Sequence, residues 1–159
     1  MIEVRTLTDG GQTAAETAEA IASFLDGAKE SLDLALYEIR LNGDSAATVK
    51  RAVVDAVQRG VTVRLAYNVN HPGQVPVPPP PETKPELLEG LGAELRAIPG
   101  VPDLMHHKFV VRDREAVWTG SLNWTEAAWT RQENVVAVVA SPELAHAYES
   151  QVADYMKAD

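Results

Sequence analysis

The sequence predicts an α/β fold: a mixed, mostly parallel sheet flanked by helices on both faces, in a single domain over 1–159. Three observations carry this. Strand, helix and strand patterns follow one another between residues 31 and 67, the spacing of a βαβ unit with a parallel pair. Two apolar runs, 108–112 and 116–119, are joined by the polar turn Asp113-Arg114-Glu115. Helical patterns at both ends supply amphipathic faces for covering a sheet.

In chain order, Ala14, Ala18, Ile21, Ala22, Leu25 and Ala28 form one face of a helix over 13–29. Residues 31–39 alternate as a strand, with Leu32, Leu34 and Leu36 on one side. Asp44 or Ser45 is placed to cap a second helix ending near Arg59, with Val49, Ala52, Val53, Ala56 and Val57 inward. Gly60 stops it, and 61–67 is the next strand. Most prolines fall in 71–85, which can be neither a helix interior nor a central strand. That stretch is expected as an extended surface loop, either a rigid connector or a rim over a cleft. A short helix over 86–92 and a short strand over 93–98 follow. Residues 124–129 make one or two helical turns, and 135–139 is a β-branched strand. Ser141 caps the last helix, with Pro142 in its first position. Trp118, on a strand, is expected in the core, and Trp124 and Trp129 in the core or a cleft wall.

Composition narrows the function. Hydrophobic residues make up 45% of the 159, enough for a core without staples. Cysteine is absent, which excludes disulfides and thiolate metal sites. With 14 basic and 23 acidic residues the net charge is −9, which disfavours coating of nucleic acid or anionic lipid but leaves room for a local positive cleft. No apolar run is long enough to span a bilayer. The start, Met1-Ile2-Glu3-Val4-Arg5, lacks the layout of a signal peptide, so a cytoplasmic location is the default expectation.

One segment concentrates reactive groups. His106 and Lys108 are two residues apart at the start of a strand, so period-two alternation puts both side chains on one face. His107 then points to the other face and is expected to pack there. Asp113 lies in the turn beyond the strand. Gly120-Ser121-Leu122-Asn123-Trp124 and Gln132-Glu133-Asn134 follow. An imidazole, an ammonium, a hydroxyl and a carboxamide suit covalent chemistry at a phosphodiester. His71, in the proline stretch, and His146, on the last helix, are expected to be exposed to solvent.

His106-x-Lys108-x4-Asp113 resembles the H-x-K-x4-D motif of the phospholipase D superfamily. The three positions alone are weak evidence of kinship. The Gly-Ser-x-Asn segment and the glutamate behind it, in the same order and on expected strands, make the resemblance specific. It extends upstream: 28–37 is similar to the family's first helix-to-strand join and 59–64 to its second. The stretch 71–85 looks like an insertion peculiar to a subgroup.

The resemblance implies a metal-independent phosphodiesterase without a cofactor. A nucleophilic histidine forms a covalent phosphohistidine, and a second histidine protonates the leaving oxygen and then activates water or an alcohol. One imidazole cannot act from both sides of phosphorus, so His106 supplies both roles only if two copies of the motif meet. Lys108 and Asn123 would bind phosphoryl oxygens and Ser121 would add a donor. Glu133 would orient the imidazole, while Asp113 and Gly120 support the local structure. A homodimer completing the site is therefore expected; alternatively the chain is the N-terminal half of a two-motif enzyme. A phospholipid substrate is favoured slightly over nucleic acid, with a phospholipase D-like endonuclease as the alternative. Two other readings compete. One is a metal hydrolase using Asp103, His106, His107 and His71, which adjacent histidines on opposite strand faces serve poorly. The other is a catalytically silent scaffold.

Overall fold

The computed structural model describes residues 1–69, 83, 87–99 and 104–158. Apart from Thr83, the proline-rich stretch 71–85 lies outside them, and so do His71, Glu86 and Asp103. The helix α1 (Ala14–Asp26) begins at a capping box: the Thr13 hydroxyl accepts from Glu16 N (3.1 Å), and the Glu16 carboxylate accepts from Thr13 N (2.7 Å). After β2 (Ser31–Leu36) and the two-residue β3 (Ile39–Arg40) comes α2 (Gly43–Gln58). The chain returns through β4 (Thr62–Val69) and β5 (Glu94–Pro99). Then follow β6 (Lys108–Arg112), β7 (Ala116–Gly120), β8 (Trp124–Thr125), α3 (Glu126–Thr130), β9 (Asn134–Ala140) and α4 (Pro142–Lys157). Ahead of them all is a strand not among the expected elements, β1 (Ile2–Leu7), on the sheet edge beside β9.

The main sheet is mixed, in the order β1-β9-β7-β6-β2-β4-β5. β2, β4 and β5 pair parallel, as the βαβ pattern requires, and every other neighbouring pair is antiparallel. Only β6 and β9 run against the direction shared by the other five strands. Two helical layers cover it. On one face α1 and α2 bury Ile21, Leu25, Val49 and Val53 against Leu34, Val63, Val110 and Trp118. On the other, α4 sets Ala145 and Val152 over Ala35, Phe109, Val111 and Val117. An ion triad also fastens α4 to the sheet: Arg64 reaches the fully buried Asp33 at 2.6 Å and Glu149 at 2.7 Å. Burial nonetheless pushes the Asp33 carboxyl above its ordinary value, against the hydrogen bond and charge of Arg64.

Several boundaries differ from expectation, each for a local reason. The strand expected over 31–39 ends at Leu36, because Ile39 leaves the main sheet to pair with Trp124. That detour moves the start of α2: Asn42 is its N-cap, and Asp44 and Ser45 fall inside the first turn instead of capping it. Asp44 still offsets the positive end of the helix. Over 87–92 the chain has a 3₁₀ residue at Leu87 followed by tight turns in place of an α-helix, as Gly90 and Gly92 take φ of +70° and +73°. The helix expected from Trp124 starts only at Glu126, since Trp124 and Thr125 form β8. Among the described residues, no helix is long and apolar enough to cross a membrane.

Candidate active site

Four strand ends build the site: the carboxyl ends of β2 and β7 and the amino ends of β6 and β9. Lys108 opens β6 opposite Leu36, the last residue of β2. It is 9% exposed, and its Nζ donates to the His106 carbonyl oxygen at 2.7 Å. The same ammonium lies 4.8 Å from the centre of the Tyr37 ring. The exposed His106 imidazole meets that ring too, edge-on, with centroids 4.4 Å apart and planes at 62°. Both groups therefore converge on Tyr37. His107 turns the other way, toward Phe109 (5.3 Å) and Tyr155 of α4 (6.2 Å). The two rings have different neighbours, yet His107 is exposed instead of packed away and borders the same cleft as His106 and Lys108.

The electrostatics favour a neutral His106. Partial burial, then the positive charges of Lys108 and His107, hold its imidazole below the usual value. Burial lowers Lys108 further, to about 8, although the nearby Glu38 carboxylate opposes the drop. Glu38 is buried and ion-paired with Arg40.

Asp113 is turned away from these groups. Its carboxylate accepts from the backbone N–H of Lys29 (3.0 Å), Glu30 (2.7 Å) and Ser31 (3.0 Å). It thereby ties the β6–β7 turn to the start of β2. Burial raises its carboxyl, but those three donors outweigh it and leave the group below its ordinary value.

Gly120 ends β7 where no other residue fits. A Cβ there would lie 2.0 Å from the Val135 carbonyl oxygen, and its φ is +153°. This close approach lets Ser121 bridge to β9: Ser121 Oγ donates to Asn134 Oδ1 (2.8 Å) and accepts from Val135 N (3.1 Å). The hydroxyl proton of Ser121 is thus engaged within the fold. Asn123 is placed by its neighbours. Trp129 Nε1 donates to its carbonyl oxygen (2.9 Å), and Trp124 N donates to the Glu38 carbonyl oxygen (3.1 Å). Its Oδ1 is buried without a hydrogen-bond partner. Trp118, Trp124 and Trp129 are all core residues. The exposed Glu133 accepts from Asp9 N at 3.3 Å, and no hydrogen bond joins it to His106 within the chain. The structure thus brings His106 and Lys108 together, ties the segment after Asn123 to Glu38 through Trp124 N, and turns Ser121, Glu133 and Asp113 to other partners.

Between the sheet and α4, a cleft of about 330 Å³ opens beside His106, lined also by His107, Lys108, Gly120, Tyr148 and Gln151. Tyr37 and Glu38 were not among the residues expected at the site. The register could have found them: Tyr37 is the residue after Leu36, which pairs with Lys108. No cluster of three or more His, Cys, Asp or Glu side chains suited to a metal ion occurs among the described residues.

Residues 21–156 match the family model described as cardiolipin synthase, PLD-like domain. The chain belongs to the phospholipase D superfamily. It is 32% identical over 128 residues to a phospholipase D of Rickettsia felis, an alignment covering 80% of this chain and 58% of that one. It is 35% identical over 114 residues to the human mitochondrial cardiolipin hydrolase, covering 69% and 39%. The chain therefore spans less than two thirds of the length of these relatives. Among solved structures, the phospholipase D family member Nuc from Salmonella typhimurium superposes with a TM-score of 0.71 at 25% identity, covering 98% of this chain and 93% of that one.

Proposed function

We propose that this chain forms half of a metal-independent phosphodiesterase site that works through a phosphohistidine on His106. The observation that carries the reading is the convergence of the His106 imidazole and the Lys108 ammonium on one aromatic ring beside an open cleft. A neutral ring nitrogen of His106 attacks phosphorus, and the P–N bond forms as the bond to the leaving oxygen breaks. The leaving oxygen takes a proton from a second, protonated imidazole. That imidazole, now neutral, removes a proton from water or an alcohol, whose oxygen attacks phosphorus and displaces His106. Lys108 balances charge on the phosphoryl oxygens. Asn123 would bind there through its amide N–H, since a phosphoryl oxygen accepts and the buried, unpartnered Oδ1 of Asn123 can itself only accept.

The second imidazole is His106 of another copy, so the working unit is a homodimer with a shared site. The surface supports this. Ile2, Val4 and Val135 are 70%, 61% and 48% exposed. The register aligns the side chains of Ile2 and Val4 with those of Ala137 and Val139. They form an apolar strip on the sheet face that carries α4, continuous with the cleft through Thr119 and Gly120. In such a dimer the exposed Glu133 is left to orient an imidazole across the axis. The alternative partner is a second motif-bearing half in a longer chain. Light scattering with size-exclusion chromatography distinguishes the two, because a strict monomer without turnover supports the half-enzyme over the homodimer.

The substrate is a phosphodiester, with a phospholipid headgroup ester as the first reading. A phospholipase D-like nuclease is the second. A panel of chromogenic diester, phosphatidylcholine and single-stranded DNA, with and without chelator, separates them. Turnover that survives chelator and vanishes in H106A, with an acid-labile, base-stable phosphoprotein trapped during it, supports the mechanism. Full activity in H106A overturns it, and no turnover on any diester leaves the silent scaffold.

A further inference from the structure

We infer that Tyr37 is a positioning residue that fixes the His106 imidazole relative to the Lys108 ammonium. This rests on the reading of His106 and Lys108 as the reacting and phosphoryl-binding groups. His106 sits just before β6, outside regular structure, and its ring makes no hydrogen bond to any described residue. Its aromatic neighbour is the Tyr37 ring, 4.4 Å away and edge-on. Glu133 can orient this imidazole only from across the dimer axis, so within one chain the ring is free to rotate about two side-chain bonds, and attack at phosphorus tolerates little misplacement. The Tyr37 ring limits that rotation.

The same ring takes the Lys108 ammonium at 4.8 Å from its centre, a cation–π geometry. Lys108 is held at one more point, by the His106 carbonyl oxygen at 2.7 Å. Tyr37 is itself anchored by its backbone, whose N–H donates to the His107 carbonyl oxygen at 2.7 Å. One half-buried residue at the end of β2 thus touches three consecutive residues of the motif segment. The hydroxyl is not part of the device. Burial, then the Glu38 charge, raise the phenol above its ordinary value, so it stays protonated through the neutral range. The charged and titratable groups around the pair are His107, Glu38 and Lys108 itself.

The ring therefore matters and the hydroxyl does not. Y37F should keep activity to within about threefold, and Y37L should lose it about ten- to a hundredfold in kcat with little change in KM, as for a lost orientation. Removing the ring admits water, so both limbs of the pH profile of kcat/KM should move to higher pH in Y37L. The ring-carbon NMR titration of His106 should move the same way, without any need for turnover. Should Y37L fail to fold, Y37M replaces it, being apolar and unbranched with similar reach. Wild-type kinetics and the loss in H106A are measured alongside, so failure of the catalytic reading is distinguished from failure of this one. Unchanged kcat and pH profile in the folded Leu or Met variant overturn the inference. So does a Phe variant as impaired as the Leu variant, which would assign the effect to the hydroxyl.

Discussion

The Lys108 ammonium donates 2.7 Å to the carbonyl oxygen of His106, so the proposed phosphoryl-binding charge is tied to the proposed nucleophile. That arrangement has an energetic consequence. Lys108 is 9% exposed, and folding lowers it to about 8. The folded chain gives up this proton before the unfolded chain does. The cost is fully present below about 8 and fades as pH rises toward the ordinary value of 10.5. K108M should therefore abolish turnover and raise stability by about 1–2 kcal/mol, read from denaturant midpoints at neutral pH. A K108M chain that is both inactive and destabilised would show that the ammonium has a structural role.

The same two groups set the working pH. Attack needs a neutral imidazole, and His106 titrates below the ordinary value near ~6.5. The acid limb of kcat/KM should fall below that value. The basic limb should lie near 8, where the Lys108 ammonium is lost, unless the second imidazole loses its proton first. In K108R the limb reporting Lys108 should disappear, because a guanidinium does not titrate there. A basic limb above ~10 would contradict the burial of Lys108.

Asp113 belongs to the motif by sequence and to the scaffold by geometry. D113A removes the acceptor of three backbone N–H groups and should cost about 1–3 kcal/mol. D113N should cost less, since asparagine also tolerates the residue's φ of +55°. The carboxyl is lowered by folding, so its contribution is present above ~3.9 and is lost as pH falls through the folded value. Activity per folded molecule should stay within several-fold of the parent in both variants. A larger loss at full stability would return Asp113 to the reaction.

What was legible in the sequence follows from which interactions are local. The βαβ unit, the β6–β7 pair and the Ser141 cap rest on periodicity and turn chemistry, and all appear. Period-two alternation turned the His107 ring toward Phe109 and away from Tyr37, but not out of the cleft that His106 and Lys108 line. β1 escaped because its five outer positions are exposed and its pairing partner lies more than a hundred residues away. Partners of the site side chains were likewise not legible. Ser121 meets Asn134, Glu133 meets Asp9, and Tyr37 receives His106, all through strand neighbours distant in sequence. An aromatic residue ending an apolar strand looks like core until the register with Lys108 is known.

Gly120 tests how far the site depends on one close approach. G120A would place a methyl 2.0 Å from the Val135 carbonyl oxygen, so β7 and β9 must separate. The Ser121 bridge to Asn134 and Val135 should break with them. A loss of about 3 kcal/mol or more is expected, read by thermal unfolding, with activity abolished even in the folded fraction. A stable, active G120A would mean that the strands can separate without disturbing Asn123.

The dimer can be tested by dilution of active sites. If each site needs His106 from two chains, wild-type chains mixed with H106A chains and allowed to exchange form hybrids that cannot complete the reaction. At equal amounts, activity per wild-type chain should fall to about half, because only that share of wild-type chains meets another. Independent sites would show no fall. The I2D/V4D pair, placed on the exposed strip, should give a folded monomer by light scattering. It should lose turnover although neither residue lines the cleft. Its activity should return as protein concentration rises, and a dimer that persists with full activity would move the interface elsewhere.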